Sequence, residues 1–282
     1  MRTTNLFKRS DGQWVASSDF VAALRQVGAH DCQVLYMHTA LSFGQINPEL
    51  GRAELLGEIH QAISSLGVPT LCVPTFTFSF CNGEDYDVAR SKSRMGALNE
   101  FIRQRPEAIR SVDPLLSVAL VGKDRDLVEN LGHESIGADS TFDKLNRRDG
   151  VQFLFLGVPL GDCFTYMHYL EWRAQVPYRY NREFQGRITH GTRIYEDTYT
   201  LFVRYRDVTP GDGGHTYERM LVDRGWLRAV PLGDSFIWCV GERDARELYL
   251  DLLRKSPDFF IQEPFSAPHA DKTFVAHNMV AL

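Results

Sequence analysis

An α/β fold, a three-layer α-β-α sandwich around a central mixed, partly parallel sheet, is predicted by three features of this 282-residue chain. Apolar runs alternate with helical apolar spacing through its first two thirds. One run, VQFLFLGV at 151–158, stays apolar along its length, as a strand covered on both faces must. No long Pro/Gly/Ser linker, repeat or low-complexity stretch interrupts the pattern, so residues 1–282 read as one domain.

The elements follow in order. QVLYM (33–37) is expected to be a buried strand. Asn47 as an N-cap and Pro48 at the first helical position then announce a helix. Leu55, Ile59 and Ile63 share one face of it, and Gly67 stops it. VPTLCVPTF (68–76) is a second strand, and residues 96–103, with Leu98, Phe101 and Ile102, a short amphipathic helix. LSVALVG (116–122) reads as a strand and RDLVENLG (125–132) as a helix closed by Gly132. The 151–158 strand leads into the helix FTYMHYLEWRAQ (164–175). Residues 186–208 alternate with many β-branched and aromatic side chains, which predicts a β-rich insertion built as a hairpin or edge strands. SFIWCVG (235–241) is a late strand and ERDARELYLDLLRKS (242–256) an amphipathic helix.

Composition narrows the function. Apolar residues at 44% and charged residues at 24% suit a globular domain with a sizeable core. A net charge of −5 argues against a nucleic-acid surface, which needs a basic stripe. The five cysteines, Cys32, Cys72, Cys81, Cys163 and Cys239, are scattered and form no CxxC pair, which is cytosolic usage rather than a disulfide framework or zinc site. The first residues carry charges but no apolar signal core, and no segment is long enough to cross a bilayer, so a cytoplasmic protein is expected.

Three constellations could carry chemistry. His168 and Glu171 stand three residues apart on one helix face, just after the 151–158 strand. A carboxylate there can hold the imidazole in the tautomer a general base needs. On spacing alone such a pair is more often a solvated or structural one than a catalytic one. A metal reading is weaker, because HxxE supplies at most two ligands and no second His/Glu motif completes the set. Arg110 and Ser111 offer donors to a phosphate, or else brace the turn before Pro114. The strand end at 38–44 opens into a small, glycine-closed loop, the kind of place where α/β proteins hold ligands. GxSxG, P-loop and GxGxxG motifs are absent from the sequence.

The order and spacing of several motifs resemble the aminoglycoside 3-N-acetyltransferase family. They are His38-Thr39-Ala40-Leu41-Ser42-Phe43-Gly44; Pro74-Thr75-Phe76-Thr77; Met95-Gly96-Ala97-Leu98 leading to Arg103, Pro106, Arg110 and Ser111; Leu156-Gly157-Val158; Thr165, His168 and Glu171; and VPYR from Val176 to Arg179. The resemblance covers roughly residues 30–180. One position departs from it: Asp113 stands where the family places a histidine.

The resemblance implies an acyl-CoA-dependent N-acyltransferase with acetyl-CoA as co-substrate. His168 would be the base, Glu171 its partner and Thr165 a contributor to oxyanion stabilisation. Residues His38 to Gly44, Thr75, Phe76, Thr77, Arg110 and Ser111 would cradle CoA. Asp113, Glu84 and Asp85 are candidate contacts for the amine acceptor. An amino sugar or small polar metabolite is the expected acceptor, with classical aminoglycosides poor substrates. No metal, nucleic acid or membrane partner is implied, and there is room for a homodimer. The competing reading is a non-catalytic CoA- or ligand-binding protein that kept the fold.

Overall fold

The computed structural model describes residues 3–266 and 270–274. The chain opens with β1 (Asn5–Lys8), β2 (Trp14–Ala16), α1 (Ser17–Gln26), β3 (Val34–Thr39), β4 (Gln45–Ile46), α2 (Arg52–Ser64) and β5 (Thr70–Pro74). It continues through β6 (Tyr86–Asp87), α3 (Ala97–Arg103), β7 (Ile109–Arg110), β8 (Val118–Gly122), α4 (Thr141–Asn146), β9 (Val151–Leu156), α5 (Leu160–Cys163) and α6 (Tyr166–Ala174). The last elements are β10 (Arg179–His190), β11 (Arg193–Arg204), α7 (Gly213–Asp223), β12 (Leu227–Leu232), β13 (Ser235–Gly241) and α8 (Glu242–Lys255).

A seven-stranded sheet runs β12-β13-β9-β3-β5-β8-β7. At its centre β3 is parallel to β5 and β9, and the outer pairings are antiparallel, so the expected mixed sheet is present. The pleat explains why the central runs are apolar throughout. Val34 and Tyr36 of β3 and Phe153 and Phe155 of β9 face one core. Leu35 and Met37, with Leu154 and Leu156, face the other. Helices α4, α6, α7 and α8 cover the first core through Phe142, Leu170, Leu221 and Leu248. Helices α1, α2 and α3 cover the second through Leu24, Ile59 and Ile102.

Three expectations change. Helix α2 begins at Arg52 after Gly51, not at Asn47 and Pro48. Asn47 instead bonds the Asn5 carbonyl through Nδ2 and accepts from the Glu49 N–H, an Asx turn that fixes the loop. Residues 125–132 hold only a 3-10 turn, Arg125–Leu127. Lys144 Nζ takes the Asp126, Glu129 and Asn130 carbonyls, and Thr141 takes that of Leu127, so no helical ladder forms there. The β-rich insertion is a hairpin of two twelve-residue strands, starting at Arg179 rather than near 186.

Strands β3, β5 and β9 end at Thr39, Pro74 and Leu156 on one edge of the sheet. Carboxyl edges of parallel strands are where open α/β sheets bind ligands.

Candidate active site

A cavity of about 240 Å³ opens at that edge. Its floor is His38 and Thr39 from β3 and Pro74 from β5. Phe76 and Phe78 wall one side, Met95, Gly96 and Asn99 another, and Val158, Cys163 and Thr165 the approach to α6. Arg94 and Asp162 also reach it. Asn99 fastens two walls: Thr39 Oγ1 donates to its Oδ1 (3.1 Å), and its Nδ2 donates to the Pro74 carbonyl (2.9 Å).

His38 is the most confined polar group of the floor. Its ring stacks on Phe155 at 5.3 Å and 6° and meets the edge of Phe164. Nε2 has no hydrogen-bond partner among the described residues. Burial pushes the imidazole pKa down to about 3, so the ring is neutral.

Thr165 leads from the cavity into α6. It is the residue before the helix, and its carbonyl accepts the His168 N–H (3.0 Å). One turn along, His168 Nδ1 lies 2.8 Å from Glu171 Oε2, and both side chains are buried. The helical spacing of the two residues therefore does bring them together. Glu171 Oε1 accepts from Tyr178 Oη (2.9 Å). Arg179 joins from the start of β10, with Nε 2.8 Å from Glu171 Oε2 as an ion pair, off the line of a straight hydrogen bond. Its Nη2 lies 2.9 Å from His168 Nδ1. Burial alone would raise the Glu171 carboxyl pKa. The Arg179 charge, helped by the His168 and Tyr178 hydrogen bonds, overrides it and holds that pKa at about 2. The carboxylate is thus ionised.

Of the predicted residues, His38, Thr39, Phe76 and Thr165 line the cavity. Others are committed to the protein itself. Arg110 donates to the Val88, Ser91 and Thr75 carbonyls and to the Thr75 and Ser117 hydroxyls, so its fork is engaged within the fold. Ser111 is fully buried and its Oγ accepts from the Val118 N–H. Thr75 Oγ1 donates to the Ser117 carbonyl and Thr77 Oγ1 to that of Pro114. Asp113 is also interior: one carboxylate oxygen takes the Leu115 and Leu116 N–H groups and the Ser135 hydroxyl. Together these residues brace the chain after β5 against the segment between β7 and β8. Asp113 thus braces the turn before β8.

The loop after β3 divides. Ala40 N donates to the Leu156 carbonyl, and Ser42 Oγ to that of Gly157, tying the loop to the end of β9. Leu41 packs against the second core. Phe43 is buried between Phe7 and Phe20, the latter ring 4.9 Å away. A Cβ on Gly44 (φ 135°) would lie 2.5 Å from the Lys8 carbonyl oxygen, so this glycine admits the close approach of the end of β1. Glu84 and Asp85 border a separate hollow that shares Arg94 with the cavity. They pair with Arg94 and Arg187, respectively.

Asn99, Asp162 and Cys163 line the cavity without having been singled out for the site. Arg179 appeared only as the last residue of the VPYR stretch. Its arrival at His168 depends on the chain reversal at Gln175, a left-handed residue (φ 51°) that ends α6.

Over residues 42–254 the chain matches the family model for aminoglycoside 3-N-acetyltransferases. Solved structures share the fold. The apoenzyme of aminoglycoside acetyltransferase AAC(3)-IVa aligns with a TM-score of 0.70 at 19% identity, covering 93% of this chain and 94% of that one. AAC-IIIb in a binary complex with CoASH aligns at 0.71 and 19%, covering 88% and 98%. Sisomicin-bound AAC-VIa aligns at 0.71 and 18%, covering 85% and 97%. No curated protein sequence matches the chain.

Proposed function

The chain belongs to the aminoglycoside 3-N-acetyltransferase family, and from that footing we propose that it moves an acetyl group from acetyl-CoA to the amine of a small polar acceptor, with His168 as general base. One observation carries the reading. The buried His168 Nδ1 meets the Glu171 carboxylate at 2.8 Å, one helical turn beyond Thr165 on the cavity at the sheet's carboxyl edge. A binary complex of the similarly folded AAC-IIIb with CoASH supports the choice of donor.

His168 takes the amine proton at Nε2 as the nitrogen attacks the thioester carbonyl carbon and forms the new C–N bond. Glu171 stabilises the imidazolium that results. The C–S bond then breaks, and His168 returns the proton to the departing thiolate. Base assistance of this kind is worth on the order of a hundred- to ten-thousandfold. The developing oxyanion needs fixed donors, for which the Thr165 hydroxyl on the cavity lining and nearby backbone N–H groups are the candidates by position. The cavity also offers the neutral His38 ring and the Thr39 hydroxyl to the reactive end of the donor.

The charges around the cavity favour an acceptor with few positive charges, such as an amino sugar. Glu84 and Asp85 are each paired with an arginine, Asp113 is internal, and Asp162 on the lining is paired with His215. Among the described residues, a polycationic aminoglycoside would meet only the one carboxylate of Asp162 on the lining. Thiol release from acetyl-CoA, measured across amino sugars, small polar amines and aminoglycosides, tests the proposal. The expected result is turnover of an amino sugar or small amine that His168→Ala abolishes. Wild-type turnover in that variant would remove the base. Fast turnover of aminoglycosides alone would reverse the acceptor order.

A further inference from the structure

Resting on His168 as the base, the geometry points to Arg179 as a positioning residue that keeps the resting His168 imidazole unprotonated. Glu171 alone would do the opposite. An ionised, buried carboxylate 2.8 Å from the ring favours the imidazolium, and a base that rests protonated cannot accept the amine proton. Arg179 counters this in two ways. It shares the carboxylate, with Nε 2.8 Å from the same Oε2 that faces His168. It also aims Nη2 at Nδ1 from 2.9 Å. A doubly protonated ring would set a cation against a cation there. The third guanidinium nitrogen, Nη1, donates to the Phe202 carbonyl of β11, which fixes the side chain's direction.

The remaining charged and titratable groups around the cluster leave this balance in place. Tyr178 donates to Glu171 Oε1 and stays a neutral phenol, since burial and then the Glu171 charge push its pKa far up. Tyr249 of α8 is likewise held neutral by burial. Arg204 of β11 adds a second cation that acts on Arg179, Glu171 and Tyr178. Asp258 acts on Tyr178 from beyond α8. When His168 Nε2 takes the amine proton, the Glu171 carboxylate already facing Nδ1 offsets the new charge.

Long-range 1H–15N NMR of the histidine rings tests this on the full chain, titrated for the wild type, Arg179→Gln and Arg179→Lys. In the wild type, His168 should titrate below the ordinary histidine value of about 6.5. In Arg179→Gln the midpoint should rise by about one pH unit or more, a tenfold gain in proton affinity. Arg179→Lys, which keeps a cation, should restore most of the shift. With a competent amine, the acid limb of kcat/KM should move by the same amount, whereas a merely structural residue would scale the profile without displacing it. A wild-type midpoint above the ordinary range overturns the assignment, as does a midpoint that stays or falls in Arg179→Gln. If Arg179→Gln does not fold, the wild-type titration and Arg179→Lys decide. Failure of the base itself is read separately, from turnover of His168→Ala.

Discussion

His38 should make the fold acid-sensitive well before its carboxylates protonate. The imidazole is buried, stacked on Phe155, and held neutral with its pKa at about 3, against 6.5 for the free group. The unfolded chain therefore binds a proton at this residue below pH 6.5 that the folded chain refuses until near pH 3. Stability is fully present above 6.5 and falls as the pH drops through that window. At about 1.4 kcal/mol per unit, the loss between pH 7.5 and pH 5 is roughly 2 kcal/mol, and the whole window is worth about 5 kcal/mol. Glu171 acts in a lower window, from 4.5 down to about 2, so it contributes little above pH 5. His60, also shifted down by burial, adds to the loss in any variant that retains it and cancels in a difference. The measurement is urea unfolding by tryptophan fluorescence at both pH values, for the wild type and His38→Phe. The phenyl ring keeps the stacking plane but does not titrate, and it removes an unpartnered buried nitrogen. The variant should lose about 2 kcal/mol less than the wild type over this interval. Equal losses in the two proteins would mean that His38 is not the neutral, excluded group described above.

Gly44→Val should lower stability by roughly 2–3 kcal/mol, through positive-φ strain and contact with the Lys8 carbonyl, while acetyl-CoA affinity per folded molecule stays unchanged; calorimetric titration beside urea melts separates the two. Asp113→Ala should cost roughly 2–4 kcal/mol, because two backbone N–H groups and the Ser135 hydroxyl lose their acceptor, and it should not change the ranking of amine acceptors in a thiol-release panel. Glu171→Gln should reduce turnover less than His168→Ala does, since an amide can still orient the ring but cannot stabilise its charged form. Stopped assays with one competent amine compare them, and a larger loss in Glu171→Gln would contradict the assigned roles.

Which parts of this molecule could be read from its sequence follows from the range of the forces involved. The central strands were legible because burial on both faces leaves an apolar run, and VQFLFL shows this most fully. His168 and Glu171 were legible as a pair because helix geometry fixes what three residues of separation mean. Residues 125–132 were misread because their apolar spacing suits a helix, whereas their carbonyls are claimed from outside by Lys144 and Thr141. Arg110, Ser111 and Asp113 could not be assigned from the sequence for a related reason. Polar side chains offered to a ligand and polar side chains that brace a turn have the same letters, and only burial with a full set of partners tells them apart.

Arg179 shows where local reading stops. Eleven residues separate it from His168, and neither helix nor strand periodicity relates the two positions. The contact is made by a left-handed Gln175 that ends α6, followed by Val176 and Pro177, which turn the chain back so that the first residue of β10 lies over the helix it has just left. The hairpin that looked like an insertion thus begins inside the candidate site, and β11 anchors the guanidinium through the Phe202 carbonyl. Changes that loosen the start of this hairpin should therefore reach His168 without touching α6. Phe202 is the informative position, because its carbonyl belongs to the backbone and survives side-chain replacement. Phe202→Leu should lower stability by about 1 kcal/mol through lost packing yet leave the His168 titration where it was. A displaced titration in that variant would show that the guanidinium is held by packing around Phe202 rather than by its carbonyl.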